Sequence, residues 1–176
     1  MNIFALDRDP VIAAQMMCDK HIVKMITESF QMFSAVIDPD RKSFFLNGMP
    51  GFPKSVTKHP CTIWTRSSKG NYMWHYYHVE AMCSEYTKRY NKVHKFNKVL
   101  NYVLQSVDSI AWEKTELEDF TLAIQDTRWH KPDTVESYRT YYNMEKFLFA
   151  KWKNGNVPYW FTGAPNYTLQ LENANE

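Results

Sequence analysis

Residues 7–40 read DRDPVIAAQMMCDKHIVKMITESFQMFSAVIDPD, and this stretch decides the fold class. Asp9 is a favoured N-cap residue, because its short carboxylate can accept from the unpaired amides of a first helical turn. Pro10 follows at the first helical position, where its missing N–H costs nothing. No glycine or proline interrupts the chain from Val11 to Ile37, which predicts a helix of roughly 40 Å at a rise of 1.5 Å per residue. Ile22, Val23, Met25, Ile26, Phe30, Phe33 and Ile37 recur at helical spacing and are expected to face a core. The helix should stop at Asp38-Pro39-Asp40.

The same helix carries a polar stripe. Lys20, His21, Lys24, Thr27, Glu28 and Gln31 fall on one surface, opposite the apolar set. A solvated face is the plain reading. Yet histidine and threonine are weak helix formers, and water alone gives no reason to prefer them to alanine, leucine or glutamate. His21, Lys24 and Glu28 align along one edge of this surface. A carboxylate beside a cation and an imidazole is what general acid–base chemistry or stabilisation of an oxocarbenium ion requires.

Outward from this helix, residues 38–60 hold four of the eight prolines and two of the five glycines, and they read as a long loop. A short helix begins after Pro60. Longer ones are expected over about 71–92, 95–107 and 134–153, the last capped by Thr134 and closed by Gly155. Residues 108–132 read as a loop with a short helix near EKTELEDFTLAI, and residues 156–176 as an irregular tail. No repeat and no alternating strand pattern occurs. The expectation is one all-α domain over 1–176.

Composition bounds the function. The chain has 176 residues and a net charge of only +2, so any attraction to nucleic acid must come from an uneven placement of its 21 Lys and Arg. Aromatic residues make up 16% of the chain, enough to supply both a core and stacking surfaces. Three cysteines cannot all pair with one another, no charged-then-apolar leader opens the chain, and no run of 18 apolar residues is present. Those features predict a soluble, reduced, cytoplasmic protein that engages no membrane.

A second constellation lies between Lys58 and Lys95. Lys58, His59, Arg66, Lys69, Lys88, Arg89, Lys92, His94 and Lys95 alternate with Trp64, Tyr72, Trp74 and Tyr90. Cations with aromatics between them suit a phosphate backbone and unstacked bases, although an amphipathic helix with a charged face gives the same pattern. Cys18, His21, His59, Cys61, His75 and His78 are metal-ligand types, but no C-x-x-C or H-E-x-x-H spacing organises them. Neither a metal nor another cofactor is expected. Cys61 with His59 is a weak nucleophile–base pair, because side chains two apart diverge in most local structures.

The segment DKHIVKMITESFQMFSAV (19–36), with the later Lys58-His59-Pro60 and Lys88-Arg89-Tyr90, resembles the phage-type pyrimidine-dimer DNA glycosylases. The signatures CDKH, HP…W, NY.W and EY..RY bring the chain closer still to a group of short phage proteins. The resemblance implies a compact all-α enzyme acting on DNA in a phage-infected cell. In it, Glu28 stands at the catalytic carboxylate and His21 at a substrate-contacting histidine. The polar stripe and the basic set supply the further candidates for substrate or DNA contact: Lys20, Lys24, Thr27, Gln31, His59, Arg66, Lys88 and Arg89. Two positions depart from the family pattern. Thr27 and Gln31 stand where the family has DNA-gripping arginines. Asn2 stands where the family has a small residue exposed by Met removal, whose free amine attacks the sugar. Asn2 favours retention of Met1, so an amine-linked adduct is not expected to form efficiently. The alternatives are a phage base-hypermodifying transferase and a non-enzymatic protein that binds nucleic acid or a host factor.

Overall fold

The computed structural model describes residues 1–40, 46–153 and 156–163. All the regular structure within them is helical: α1 (Pro10–Met16), α2 (Asp19–Ile37), α3 (Pro60–Ser67), α4 (Lys69–Tyr90), α5 (Leu100–Ser106) and α6 (Thr134–Tyr141), with short 3-10 turns between. The all-α expectation holds. Most of the tail expected at 156–176 and part of the 38–60 loop lie outside the described residues.

Asp9 does cap α1: its Oδ1 accepts from the amides of Val11 at 2.8 Å and Ile12 at 3.0 Å. The single helix expected over 10–37 is nevertheless two. Met17 and Cys18 are extended, with ψ of 138° and 159°. A helix end exposes carbonyls that need donors, and here distant residues supply them. Arg89 Nη1 donates to Met17 O at 2.7 Å, its Nη2 to Gln15 O at 3.1 Å, and Trp152 Nε1 to Met16 O at 3.0 Å. Asp19 N, at the start of α2, donates to Lys151 O at 2.8 Å. The break satisfies its backbone through tertiary contacts, which no local pattern announces.

α2 buries Ile22, Met25, Ile26, Phe30, Met32 and Phe33 against α3 and α4. Val23 is a correction, since it faces solvent rather than the core, and Ile37 is only half-buried. α4 is the central helix. It buries Trp74, His75 and Tyr76 in succession and then His78 and Val79, so its packed surface spans most of the circumference. Each large apolar side chain taken from water there is worth roughly 1.5–3 kcal/mol. Ser68 caps α4 by accepting from Asn71 N, and Asn91 ends it in the left-handed region at φ 53°.

The helix expected over 95–107 is shorter, running from Leu100 to Ser106 after a 3-10 turn. Residues 110–126 contain no helix. They run extended across the start of α4, where Lys69 N donates to Lys114 O at 2.9 Å and Gly70 N to Thr115 O at 3.0 Å. The helix expected over 134–153 ends at Tyr141 and passes into one π-helical turn, Tyr142–Lys146. Its cap is Asp133 rather than Thr134. π turns inside helices are frequent at functional sites.

A candidate active site at the N-terminus

Asn2 organises the start of the chain. Its Nδ2 donates to Ala123 O at 2.9 Å, and its Oδ1 accepts from Phe4 N at 3.0 Å. The turn places Phe4 at φ 46°, a strained conformation for a bulky residue. Phe4 is held there by packing: its ring stacks on His21 with centroids 4.2 Å apart. The turn folds the first residue back over α2, and the Met1 nitrogen lies 3.5 Å from Glu28 Oε2. Oε2 is buried and accepts no aligned hydrogen bond, so this contact is one of charge and proximity. Glu28 Oε1 sits 3.5 Å from Lys24 Nζ, one helical turn earlier. Retention of Met1 therefore does not carry the nitrogen away from the carboxylate; the Asn2 turn presents it there.

A cleft of about 680 Å³ opens beside this pair. One side is made by Met1, Asn2, Phe4, His21, Lys24 and His59; the other by residues 122–126 with Tyr141, Glu145 and Lys146. His21 is nearly buried, and burial, reinforced by Lys146, Lys24, Lys20 and the N-terminal charge, pulls its pKa down to about 3. The imidazole is neutral at physiological pH. Its Nδ1 is 2.6 Å from the Tyr142 hydroxyl, whose proton is held tightly because that phenol is fully buried. The hydroxyl accepts from Cys18 N at 3.4 Å, and the other acceptor open to its proton, Cys18 Sγ at 3.8 Å, is a weak one. Tyr142 is therefore best assigned as donor to Nδ1, which leaves the His21 proton on Nε2. His59 is also held below its usual pKa, chiefly by burial and then by the N-terminal charge, with Glu28 opposing.

The structure gathers some of the expected site residues and separates others. Met1, His21, Lys24, Glu28 and His59 come together. Lys20 is exposed beside them, with Nζ 4.5 Å from the Phe149 ring centroid. Thr27 is half-buried on the same helix, and Gln31 Nε2 donates to Gly51 O at 3.2 Å, tethering the proline-rich segment. Arg66 and Lys88 are exposed but do not line the cleft.

Arg89 requires correction. Its side chain is 2% exposed and bonded to Glu85, Asp19 and the α1 carbonyls, so it holds the fold and is not offered to phosphates. Tyr72 and Trp74, read from sequence as stacking surfaces, are buried in the core. Cys61 is no nucleophile partner for His59. Burial pushes its thiol up to about 12, and His59 Nδ1 instead accepts the Cys61 backbone N–H at 3.1 Å.

Tyr141, Glu145, Lys146 and the 122–126 wall were not anticipated. They arrive through the π turn and an extended segment, neither of which has a sequence period to read. Among the described residues, no group of three or more His, Cys, Asp or Glu could hold a metal ion. Among them too, no helix is long and apolar enough to cross a membrane.

Fold and cleft together define a small all-α protein that collects an amine, a carboxylate and two imidazoles at its own N-terminus. A family model described as pyrimidine dimer DNA glycosylase matches residues 1–98, more than half the chain, and the chain belongs to that family. Membership makes the protein DNA glycosylase-like and associates it with DNA repair. The matched region contains Met1, His21, Lys24, Glu28 and His59, while the opposite wall of the cleft lies beyond it. No curated protein matches the chain, and no solved structure does.

Proposed function

We propose that the protein cleaves the base–sugar bond of a damaged or modified pyrimidine in duplex DNA, with Glu28 as the catalytic carboxylate and the Met1 amine as the nucleophile. The observation that carries this reading is the 3.5 Å approach of the Met1 nitrogen to Glu28 Oε2 at the edge of a polar cleft. An amine attacks only when uncharged, and a carboxylate at this distance can take its proton. The nitrogen then bonds to C1′ of the deoxyribose. The C1′–base bond breaks with its electron pair leaving on the base, which is protonated as it departs. The base takes the proton that Glu28 received from the amine, and the carboxylate so restored stabilises positive charge on the sugar. Loss of the second amine proton and opening of the C1′–O4′ bond, with O4′ protonated, leaves an imine between Met1 and the sugar.

The neutral His21 and His59 are proposed to hydrogen-bond the substrate, with Thr27 and Gln31 bordering it. Exposed Lys20, Lys24, Arg66 and Lys88 are proposed to contact phosphates. The wide cleft suits a nucleotide turned out of the helix, which chemistry at C1′ requires.

Borohydride trapping tests the reading, because it reduces an imine to a stable secondary amine. Duplexes carrying a pyrimidine dimer, other damaged or modified bases, or an abasic site are incubated with the protein and borohydride, and the adduct is mapped by peptide mass. The expected result is base release with a covalent adduct at Met1. Glu28→Gln should lower the rate of release by about 10²-fold or more, as general-base losses do. Base release without an adduct, or an intact mass showing that the Met1 nitrogen is not a free amine, overturns the nucleophile and leaves Glu28 acting alone. No release from any duplex overturns the proposal and favours a transferase or a binding protein.

A further inference from the structure

The first residues of the chain are locked in place one after another. Ile3, Phe4, Ala5 and Leu6 are all buried. Leu6 N donates to Phe4 O at 2.8 Å, and Leu6 O accepts from Arg139 Nε at 2.8 Å. Asp7 Oδ2 pairs with Arg139 Nη2 at 3.1 Å. The register of the chain is therefore fixed from Ile3 onward, and two residues remain to reach the cleft.

Asn2 is the first of these two. It is buried, and both ends of its amide are engaged, Nδ2 with Ala123 O and Oδ1 with Phe4 N. A buried amide bonded at donor and acceptor is costly to displace. Met1 then extends into the cleft, with its nitrogen 3.5 Å from Glu28 Oε2. Consecutive Cα atoms stand about 3.8 Å apart, so a chain that began at residue 2 would fall short of Glu28 by about that distance. The buried residues 3–6 cannot slide to make up the difference. Asn2 itself prevents the shortening, since a side chain larger than alanine or serine keeps the initiator Met in place.

We infer that Asn2 gauges the length of the terminus: it keeps Met1 on the chain and holds the Met1 nitrogen at Glu28, so that a terminus one residue shorter does not react. The inference rests on the base-releasing reading of the cleft and adds a positioning residue to it. Asn2 touches no reacting atom; it acts through Met1. Its partner Ala123 lies beyond residues 1–98, so a part of the chain outside the family match aims the amine.

A duplex with a ready-made abasic site isolates the amine from the departure of a base. The amine adds to the C1′ aldehyde, water leaves, and borohydride reduces the imine to a secondary amine that peptide mass locates. The wild-type protein should be trapped at Met1. Asn2→Ala lets the Met be removed, which intact mass confirms, and should be trapped about 10²-fold more slowly, the scale on which a displacement of an ångström or more acts. A chain with one glycine inserted between Met1 and Asn2 also loses its Met, yet presents the glycine nitrogen where the Met1 nitrogen stood. It should recover trapping to within about 5-fold of wild type. Asn2→Asp keeps Met1 but loses the donor to Ala123 O, and should slow trapping about 10-fold or more. Rates are compared at a temperature where every variant is folded, and there a purely structural role would leave them equal. Trapping of Asn2→Ala as fast as wild type, or no trapping of the folded glycine-inserted chain, would overturn the gauge while the wild type still releases bases. Trapping at Met1 without cleavage of any base–sugar bond overturns the base-releasing reading and leaves the gauge standing. A wild-type protein that forms no adduct at Met1 overturns the gauge together with the nucleophile.

Discussion

His78 and His75 sit one helical turn apart on α4, both fully buried and both held neutral, yet they differ in what they bond. His75 Nδ1 lies 2.8 Å from Thr65 Oγ1, and its Nε2 lies 3.0 Å from Ser29 Oγ, which ties α4 to α3 and α2. Neither nitrogen of His78 has a hydrogen-bond partner among the described residues; its ring stacks on Trp74 at 4.9 Å. A buried polar group without a partner costs about 1–3 kcal/mol, and removing one member of a bonded pair incurs a similar penalty at the group left behind. His75→Leu should therefore lower stability by roughly 2 kcal/mol or more, because it strands the Ser29 hydroxyl. His78→Leu, of similar volume, should be within about 1 kcal/mol of wild type or above it. Urea unfolding of the two variants checks this. Equal losses would show that His78 does have a polar partner.

Among the elements, the extended segment that reaches the cleft depends on one glycine. A Cβ added to Gly70 would stand 2.4 Å from Leu117 N and 2.6 Å from Glu116 C, both backbone atoms. The approach is fixed from both chains, since Ser68 Oγ donates to Glu116 O and Glu118 N donates to Asn71 Oδ1. In an exposed helix, Gly→Ala is worth up to about 1 kcal/mol of added stability. Here overpacking against backbone costs about 1–3 kcal/mol and should win. Gly70→Ala is expected to lower the thermal midpoint and, by displacing residues 114–118, to disturb the 122–126 wall and so slow the base release proposed above. A raised midpoint would show that the segment does not lie against α4. Elements differ in how plainly the sequence marks them. α1 begins where Asp9-Pro10 says it should, and α2 follows its apolar spacing, whereas α4 is buried around most of its circumference. The 110–126 segment has no period because its amides and carbonyls bond outward, to the start of α4 and then to Trp64, Tyr138 and Asn2.

The whole molecule is built to be stable near neutrality and weak in acid. His21 and His78 have pKa values near 3 in the fold, against about 6.5 for free histidine, and His75 lies well below its ordinary value. Between those limits the unfolded chain binds protons that the native protein does not, so acid favours unfolding. Their contribution is complete above about pH 6.5 and declines as pH falls toward 3, at about 1.4 kcal/mol per pH unit for each histidine. Chemical denaturation at pH 7, 5.5 and 4.5 should show a steady decline. A flat profile would mean that these rings reach water. The same ionisable core includes Arg89, whose pairing with Glu85 and Asp19 joins α4 to the start of α2.

What the sequence determined alone was local: the helical class, the start of α1, the core face of α2 and the placing of Glu28 within a polar stripe. These follow from caps and periodicity, which are properties of neighbouring residues. Only the tertiary structure decided that the first helix breaks at Met17–Cys18, because its donors, Arg89 and Trp152, lie 72 and 136 positions from the carbonyls they serve. It likewise decided that Arg89 is buried while Lys20 and Lys24 stay exposed, although all three are cations on helices. The candidate cleft divides in the same way. Glu28 and His21 were legible seven residues apart on one helix, whereas the Met1 nitrogen reaches Glu28 only because Asn2 bonds to Ala123, 121 positions away. Hydrogen bonds between distant backbone and side-chain groups leave no spacing in the chain, and they are what assembled this cleft.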